Sequence, residues 1–308
     1  MPIIVRDQQL EKVGSISDFL GKYPFFKESA LKLNSQTKRE VGPKGLLYVC
    51  QREFATTSPE DASIEVMGSE DATTCHLTVL KHTGSGAVCV SHCDGSSVPE
   101  GVRDMIQEVT TLSQGKPGHL ELHVVGGFLD DKKTSEGLFL NILNSFHKSS
   151  EEIHLQTACT TDLNDVVKNG IHWPIIYGIG VDMKTGEIFP ASFAEKGPDD
   201  VPRGARNMIG KNANMASMYD FKKRQLHIGP FQYAPWPDAK VWLKLPDDVI
   251  LNNMSTSPKV EPPDFVAHMR AVLKHVIENP NPRKTLFPGG KPRLYEKDSS
   301  GLWVKVDS

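Results

Sequence analysis

Two neighbouring stretches of this chain alternate apolar and polar positions, as β-strands do. Residues 75–80 and 88–93 each present one apolar face, because successive strand side chains point to opposite sides. The residues on those faces are Cys75, Leu77, Val79, Val88, Val90 and His92. The intervening sequence Thr-Gly-Ser-Gly at 83–86 is typical of turns. The pattern therefore predicts a β-hairpin.

The apolar faces also predict how the two arms of this hairpin pair. A slip of one residue would turn one arm's apolar side chains towards water. The predicted pairs, closing on a loop at residues 81–86, are Val79 with Val88, Leu77 with Val90, and Cys75 with His92. Directly opposed residues have Cβ atoms about 4.5 to 5.5 Å apart. This register would bring a thiol within hydrogen-bonding distance of an imidazole.

A cysteine beside a histidine indicates the chemistry of a cysteine hydrolase. His92 would take the thiol proton, and the thiolate of Cys75 would be the nucleophile. The small polar residues just before Cys75 are suited to a loop whose backbone N–H groups hold an oxyanion. A purely structural role also stays open. A buried cysteine in a strand often packs as a small apolar side chain, and a neighbouring histidine is often only a hydrogen-bonded polar group.

The rest of the chain predicts a mixed fold. Apolar residues recur at helical spacing in 102–112, 138–146 and 265–276, and Ser17 is a candidate cap for an earlier helix. Further strands are predicted at residues 120–124, 153–159, 174–182 and 187–193, and hairpins at 218–228 and 293–306. Residues 195–215 are expected to form a long loop at the wall of a pocket. Strands outnumber helices, which favours an α+β fold with mainly antiparallel sheet.

Composition narrows the function classes. The chain has 308 residues, 38% of them apolar and 24% charged, which is typical of a soluble globular protein. Its 35 basic and 38 acidic side chains nearly balance, so the chain has no strong positive electrostatic field. Neither nucleic acid nor membrane is therefore an expected partner. The sequence shows no signal peptide, and its five scattered cysteines favour reduced thiols in the cytoplasm or nucleus.

Several runs, in one order along nearly the whole chain, resemble the protein N-terminal asparagine amidohydrolase family. The central runs are Ser-Glu-Asp-Ala-Thr-Thr-Cys-His at 69–76 and His-Cys-Asp-Gly at 92–95. The flanking runs lie at residues 41–49, 124–128, 176–178, 191–193, 255–258 and 261–263. The resemblance implies one domain over residues 1–308, built as an αββα sandwich of two packed sheets flanked by helices. More distantly, it resembles chemoreceptor glutamine deamidases and deamidating bacterial toxins.

The resemblance also implies a reaction. Such an enzyme converts the N-terminal asparagine of a protein or peptide to aspartate and releases ammonia; in eukaryotic cells the product is arginylated and becomes a degradation signal. Cys75 would be the nucleophile, and Ser69 lies where the distant relatives supply the group that orients the histidine. The mechanism requires no cofactor, and we expect a monomer.

Selecting the first residue of a chain requires a group that recognises its α-ammonium, and a carboxylate suits that charge. Glu70, Asp71 and Asp94 are the acids nearest to the predicted site in sequence, and Tyr177 is a further substrate-binding candidate. An aspartate in such a loop more often accepts backbone N–H bonds. The choice among the acids stays open.

Parts of the sequence are also compatible with other functions. His119, Glu121 and His123 share one strand face at a spacing that suits metal ligands, but the outer face of any amphipathic strand gives the same pattern, and no metal is expected. An amidase for internal glutamine or asparagine would use the same cysteine and histidine in an open groove. A binding module for N-terminal residues without catalysis is the alternative outside enzymes.

Overall fold

The computed structural model describes residues 3–209, 213–234 and 236–306. Its strands are β1 Ile3–Val5, β2 Gln8–Gln9, β3 Arg39–Val41, β4 Leu46–Tyr48, β5 Glu53–Thr57, β6 Val66–Ser69, β7 His76–His82, β8 Val88–Cys93, β9 Leu120–Gly126, β10 Ile153–Thr160, β11 Asp165–Lys168, β12 Ile171–Pro174, β13 Ile179–Asp182, β14 Ile188–Phe193, β15 Ala216–Ser217, β16 Tyr219–Asp220, β17 Gln225–Ile228, β18 Arg293–Lys297 and β19 Trp303–Val306. Its helices are α1 Ile16–Lys22, α2 Phe26–Asn34, α3 Val98–Ser113, α4 Thr134–His147, α5 Asp200–Arg206, α6 Ala239–Trp242, α7 Asp247–Met254, α8 Phe265–Glu278 and α9 Pro282–Thr285.

Two sheets form the centre of the molecule and confirm the predicted α+β sandwich. The larger has eight strands in the order β15-β5-β8-β7-β9-β10-β1-β2, and the smaller has five in the order β3-β14-β13-β6-β4. A separate four-stranded sheet, β16-β17-β18-β19, confirms both hairpins predicted after residue 217. Most neighbouring strands are antiparallel. The parallel pairs among the described residues are β1 with β10, β9 with β10, β3 with β14, β5 with β15, and β4 with β6.

The apolar alternation of the hairpin is explained by the packing of these sheets. Leu77, Val79, Val88 and Val90 are buried in one cluster together with residues of the smaller sheet such as Ile179. The opposite face of the larger sheet packs on α1, α3 and α4, whose apolar stripes form a second cluster. Burial of apolar surface stabilises both layers by roughly 25 cal/mol per Å².

The hairpin register differs from the prediction by two residues. Val79 pairs with Val90, and Leu77, not Cys75, pairs with His92. The turn explains the difference: the His82 N–H donates to the Ala87 carbonyl over 2.8 Å, which closes the loop at residues 83–86. Because side chains alternate with a period of two, a two-residue shift keeps every apolar side chain on its face.

Other predicted elements also need correction. The cap of α1 is Ser15, whose side chain accepts the Asp18 N–H, and not Ser17. The strand predicted at 174–182 is two strands, β12 and β13, separated at residues 175–178. The predicted loop at 195–215 contains α5 and a turn of 3-10 helix at Asn207–Ile209, while its residues 210–212 lie outside the described ranges.

Two further observations concern the length of the helices and the state of the cysteines. In the described ranges, no helix has the length and apolar character needed to cross a bilayer. All five cysteines fall within those ranges and are free thiols.

Candidate active site

A cleft of about 550 Å³ opens where the two sheets meet the C-terminal helices. Cys75 and His92 both line it, together with side chains from α5, α7 and α8. Two loops border the cleft and are named here. Loop L1, residues 70–74, joins β6 of the smaller sheet to Cys75 and β7 of the larger one, and loop L2, residues 255–264, joins α7 to α8.

Close backbone packing holds Cys75 directly before β7. Its carbonyl oxygen accepts the Gly127 N–H over 2.9 Å. A Cβ on Gly126, which has φ of +125°, would lie 2.7 Å from that carbonyl oxygen. Only glycine leaves room for this approach. The paired glycines therefore allow a close backbone contact.

Ser69 and His92 meet across the two sheets. Ser69 ends β6 of the smaller sheet, His92 lies in β8 of the larger sheet, and their side-chain atoms Oγ and Nδ1 are 2.9 Å apart. Ser69 is fully buried, and His92 is 3% exposed. Within the described residues, His92 Nε2 has no hydrogen-bond partner. The serine oxygen can thus accept a hydrogen bond from Nδ1–H, which leaves the Nε2 lone pair available as a base.

Cys75 is a diagonal neighbour of His92, because Leu77, two residues further along the same arm of the hairpin, lies directly opposite His92. Diagonal neighbours are about 7 to 8 Å apart, still within side-chain reach. Burial, with smaller contributions from Asp94 and Glu261, raises the pKa of the Cys75 thiol well above its usual value. Burial lowers the pKa of His92 to about 4, against the opposing effect of nearby carboxylates. At neutral pH the pair is therefore an uncharged thiol and an uncharged imidazole.

Glu70 and Asp71, two of the predicted substrate-binding acids, lie on one wall of the cleft with Lys196. The Lys196 ammonium is 2.5 Å from the Asp71 carboxylate and 3.8 Å from that of Glu70. Glu70 also accepts the Phe193 N–H over 3.1 Å. Burial, and then the charge of Asp71, raises the pKa of Glu70 to about 7. Both acids thus already share a cation.

The remaining two candidates, Asp94 and Tyr177, do not contact the cleft. The Asp94 carboxylate binds the Arg52 guanidinium at 2.5 Å and caps the following loop by accepting the Ser96 N–H. The Tyr177 hydroxyl donates to the Val260 carbonyl over 3.2 Å. Neither side chain is among the described residues that line the cavity. Asp94 therefore makes the loop-capping contact that the sequence left as an alternative.

Loop L2 supplies cleft residues that the sequence did not single out. Glu261 lines the cleft, and its Oε1 atom accepts the hydroxyls of Ser255 and Ser257. Ser257 also bonds Thr73 of loop L1 over 2.8 Å, and Thr256 bonds Thr74 over 2.9 Å. These residues belong to runs that carried the family resemblance, but their distance along the chain concealed their position. Trp236 and Trp242 add an aromatic side to the cleft, with ring centroids 5.6 Å apart.

The residues weighed as metal ligands make other contacts. His123 Nδ1 lies 3.0 Å from the Thr157 hydroxyl, and His119 faces Glu121 at 3.8 Å. Across the described ranges, no group of three or more histidine, cysteine or acidic side chains is arranged to hold a metal ion. These contacts suit the outer face of an amphipathic strand.

The chain is similar to known proteins over a range that includes every residue of the cleft. The sequence profile of the family described as protein N-terminal asparagine amidohydrolase matches residues 36–305. The chain is 46% identical to the protein of that name from Mus musculus and 45% identical to the one from Homo sapiens, in each case over 309 residues that cover 100% of this chain and 99% of the relative. A protein of the same name from Arabidopsis thaliana is 30% identical over 284 residues, covering 84% of this chain and 80% of the relative.

Proposed function

Because this chain belongs to the protein N-terminal asparagine amidohydrolase family, we propose that it hydrolyses the side-chain amide of an N-terminal asparagine in proteins and peptides. The products are an N-terminal aspartate and ammonia. The observation that carries the proposal is the shared cleft of Cys75 and His92, with the imidazole bonded to Ser69 at 2.9 Å.

The reaction begins with an uncharged pair. His92 Nε2 takes the thiol proton of Cys75, and the thiolate attacks the side-chain carbonyl carbon. The Cys75 N–H has no acceptor among the described residues and is a donor for the resulting oxyanion. As the C–N bond breaks, the imidazolium returns its proton to the leaving ammonia, which leaves a thioester on Cys75.

The second half of the reaction repeats these roles with water. His92 takes a proton from a water molecule, whose oxygen attacks the thioester carbon. Collapse of the tetrahedral intermediate breaks the C–S bond and gives the aspartate side chain, and the imidazolium returns its proton to the departing sulfur, which regenerates the thiol. Ser69 acts as a positioning residue, since it holds the His92 ring and leaves Nε2 as the base.

We also propose the wider setting that the family resemblance implies. Residues 1–308 form one catalytic domain, because β1 and β2 complete the same sheet that carries β7 and β8. The aspartate produced feeds arginylation and protein degradation, in the cytoplasm or nucleus. Glu70 and Asp71 are candidates for contacts with the peptide at the cleft wall.

Ammonia release from short peptides tests this function. One peptide begins with asparagine, a second is identical but N-acetylated, and a third carries the asparagine at an internal position. We expect release from the first alone with the wild-type protein, and a rate lower by more than about 10³-fold with Cys75→Ser. Equal release from all three would instead indicate a general deamidase. No release from any of them would contradict the proposed activity.

A further inference from the structure

The acids at the cleft differ in what already neutralises them. Of the acids other than Glu261 that line it, Asp71 and Glu70 bind Lys196, Asp200 lies 3.6 Å from the His268 ring, and Asp264 is exposed to solvent. Glu261 is bonded to two hydroxyls and, in the part of the chain that the structure describes, pairs with no lysine, arginine or histidine. A partly buried carboxylate without a cation is costly unless a ligand supplies the charge.

Loop L2, which carries this carboxylate, is bonded to the loop that precedes the nucleophile. Ser257 bonds both Glu261, at 3.2 Å, and Thr73, which lies two residues before Cys75. A second hydroxyl pair, between Thr256 and Thr74, joins the same two loops at 2.9 Å. A carboxylate can accept about four hydrogen bonds, so Glu261 keeps capacity for a ligand.

The geometry of asparagine limits how far from Cys75 an acid that binds the α-ammonium group can lie. Its α-nitrogen is three bonds from the side-chain carbonyl carbon, hence less than about 4 Å away. The attacking sulfur is about 3 to 3.5 Å from that carbon, and a charge-assisted hydrogen bond adds about 2.8 Å. The acid must therefore lie within roughly 10 Å of the Cys75 sulfur. Burial first, then Asp94 and Glu261, raise the pKa of that thiol, so Glu261 acts on the sulfur electrostatically.

We propose that Glu261 binds the α-ammonium group of the substrate and thereby restricts the enzyme to the first residue of a chain. This inference rests on the proposed function and names its specificity-determining residue. It has a chemical consequence, because the bound ammonium offsets a negative charge that keeps the thiol protonated. A substrate with a free amine thus promotes formation of its own nucleophile.

The test measures binding and does not depend on turnover. In a Cys75→Ser background, isothermal calorimetry compares an asparagine-initiated peptide with its desamino analogue, in which hydrogen replaces the α-amino group. We expect the free amine to bind about 10- to 100-fold more tightly, and Glu261→Gln to reduce that preference to about 2-fold or less. Glutamine keeps an oxygen that accepts the Ser255 and Ser257 hydroxyls, so the substitution removes charge and not the loop contact.

Two matched variants separate charge recognition from loop support. Asp71→Asn removes the cleft carboxylate that is paired with Lys196, and Ser257→Ala removes the bond to Thr73 while Glu261 keeps its charge. Both should retain a preference of at least about 10-fold for the free amine, even if each binds both peptides more weakly.

Three outcomes would overturn the assignment. They are no preference for the free amine in the Cys75→Ser protein, a preference that survives Glu261→Gln, and a preference that Asp71→Asn alone removes. Ammonia release by the wild-type protein is measured separately. Its absence would reject the proposed function, while the binding ratio still tests the role of Glu261.

Discussion

The floor and the wall of the cleft are built in different ways. The floor consists of Ser69, Cys75 and His92, which lie within 24 positions and are held by paired strands and close glycine contacts. The wall consists of Lys196 and Glu261 with their neighbours, which come from short helices and loops and are held by ion pairs and hydroxyls. A rigid floor suits bond making, and an independently held wall suits recognition of the substrate.

The largest effect is expected from a substitution that disturbs the backbone of the floor. Gly126→Ala places a methyl group 2.7 Å from the Cys75 carbonyl oxygen, in a backbone conformation that disfavours side chains. We expect the free energy of unfolding to fall by about 3 kcal/mol or more, and kcat by about 100-fold as Cys75 shifts.

Gly115→Ala is the matched control in urea unfolding, since Gly115 also has positive φ but has no atom within 4 Å of an added Cβ. It should cost only about 1 to 2 kcal/mol and leave kcat unchanged. Equal losses from the two substitutions would contradict the importance of the close contact.

The second effect removes the bond that positions the imidazole. Ser69→Ala should lower kcat by about 10- to 100-fold with little change in KM, because the His92 ring loses its Nδ1 partner while the wall is intact. Ser69→Thr keeps a hydroxyl and should restore part of the rate.

Ser91→Ala is the matched control for this effect, because it also removes a buried hydroxyl from β8, the one bonded to Thr78 at 2.6 Å. It should reduce stability and spare kcat. A loss of kcat as large as that of Ser69→Ala would assign the effect to sheet stability alone.

The third prediction uses pH to distinguish the role of the floor from that of the wall. His92 acts as a base only when neutral, and its pKa of about 4 keeps it neutral well below the usual range for histidine. Burial raises the pKa of Glu261, so this carboxylate loses its charge at a higher pH than an ordinary glutamate. On lowering the pH from 7 we expect KM to rise first and kcat to fall later, near pH 4.

Steady-state ammonia assays from pH 7 down to pH 4 measure the rise in KM and the fall in kcat. Glu261→Gln should abolish the rise in KM and leave the fall in kcat. A kcat that already falls near pH 6.5 would show that His92 titrates as an exposed histidine. The floor would then be more hydrated than its burial indicates.

The smallest effect is seen in the free enzyme. Glu261→Gln removes one of the lesser causes of the raised pKa of Cys75, so more thiolate should form. We expect iodoacetamide to alkylate Cys75 roughly 2- to 5-fold faster at pH 8, as measured by mass spectrometry of the peptide that contains it. Glu70→Gln should leave the rate nearly unchanged, and an equal increase there would contradict a specific effect of Glu261.

Much of the floor was predictable from the sequence because it depends on local patterns. Alternation with a period of two defined the hairpin and the face shared by Cys75, Leu77 and His92. The same period cannot distinguish registers that differ by two residues, so the direct pairing of Cys75 with His92 was wrong. The hydrogen bonds of the turn decided the register, and with it the diagonal relation of thiol and imidazole.

The sequence by itself determined the α+β class, the main helices and the candidate residues Cys75, His92 and Ser69. Only the tertiary structure decided which acids are available. Asp94 and Glu261 are equally acidic in the sequence, but one lies against Arg52 and the other lines the cleft without a cationic partner among the described residues. Such pairing joins residues far apart in the chain, and burial then sets the cost of each charge, which no local pattern records.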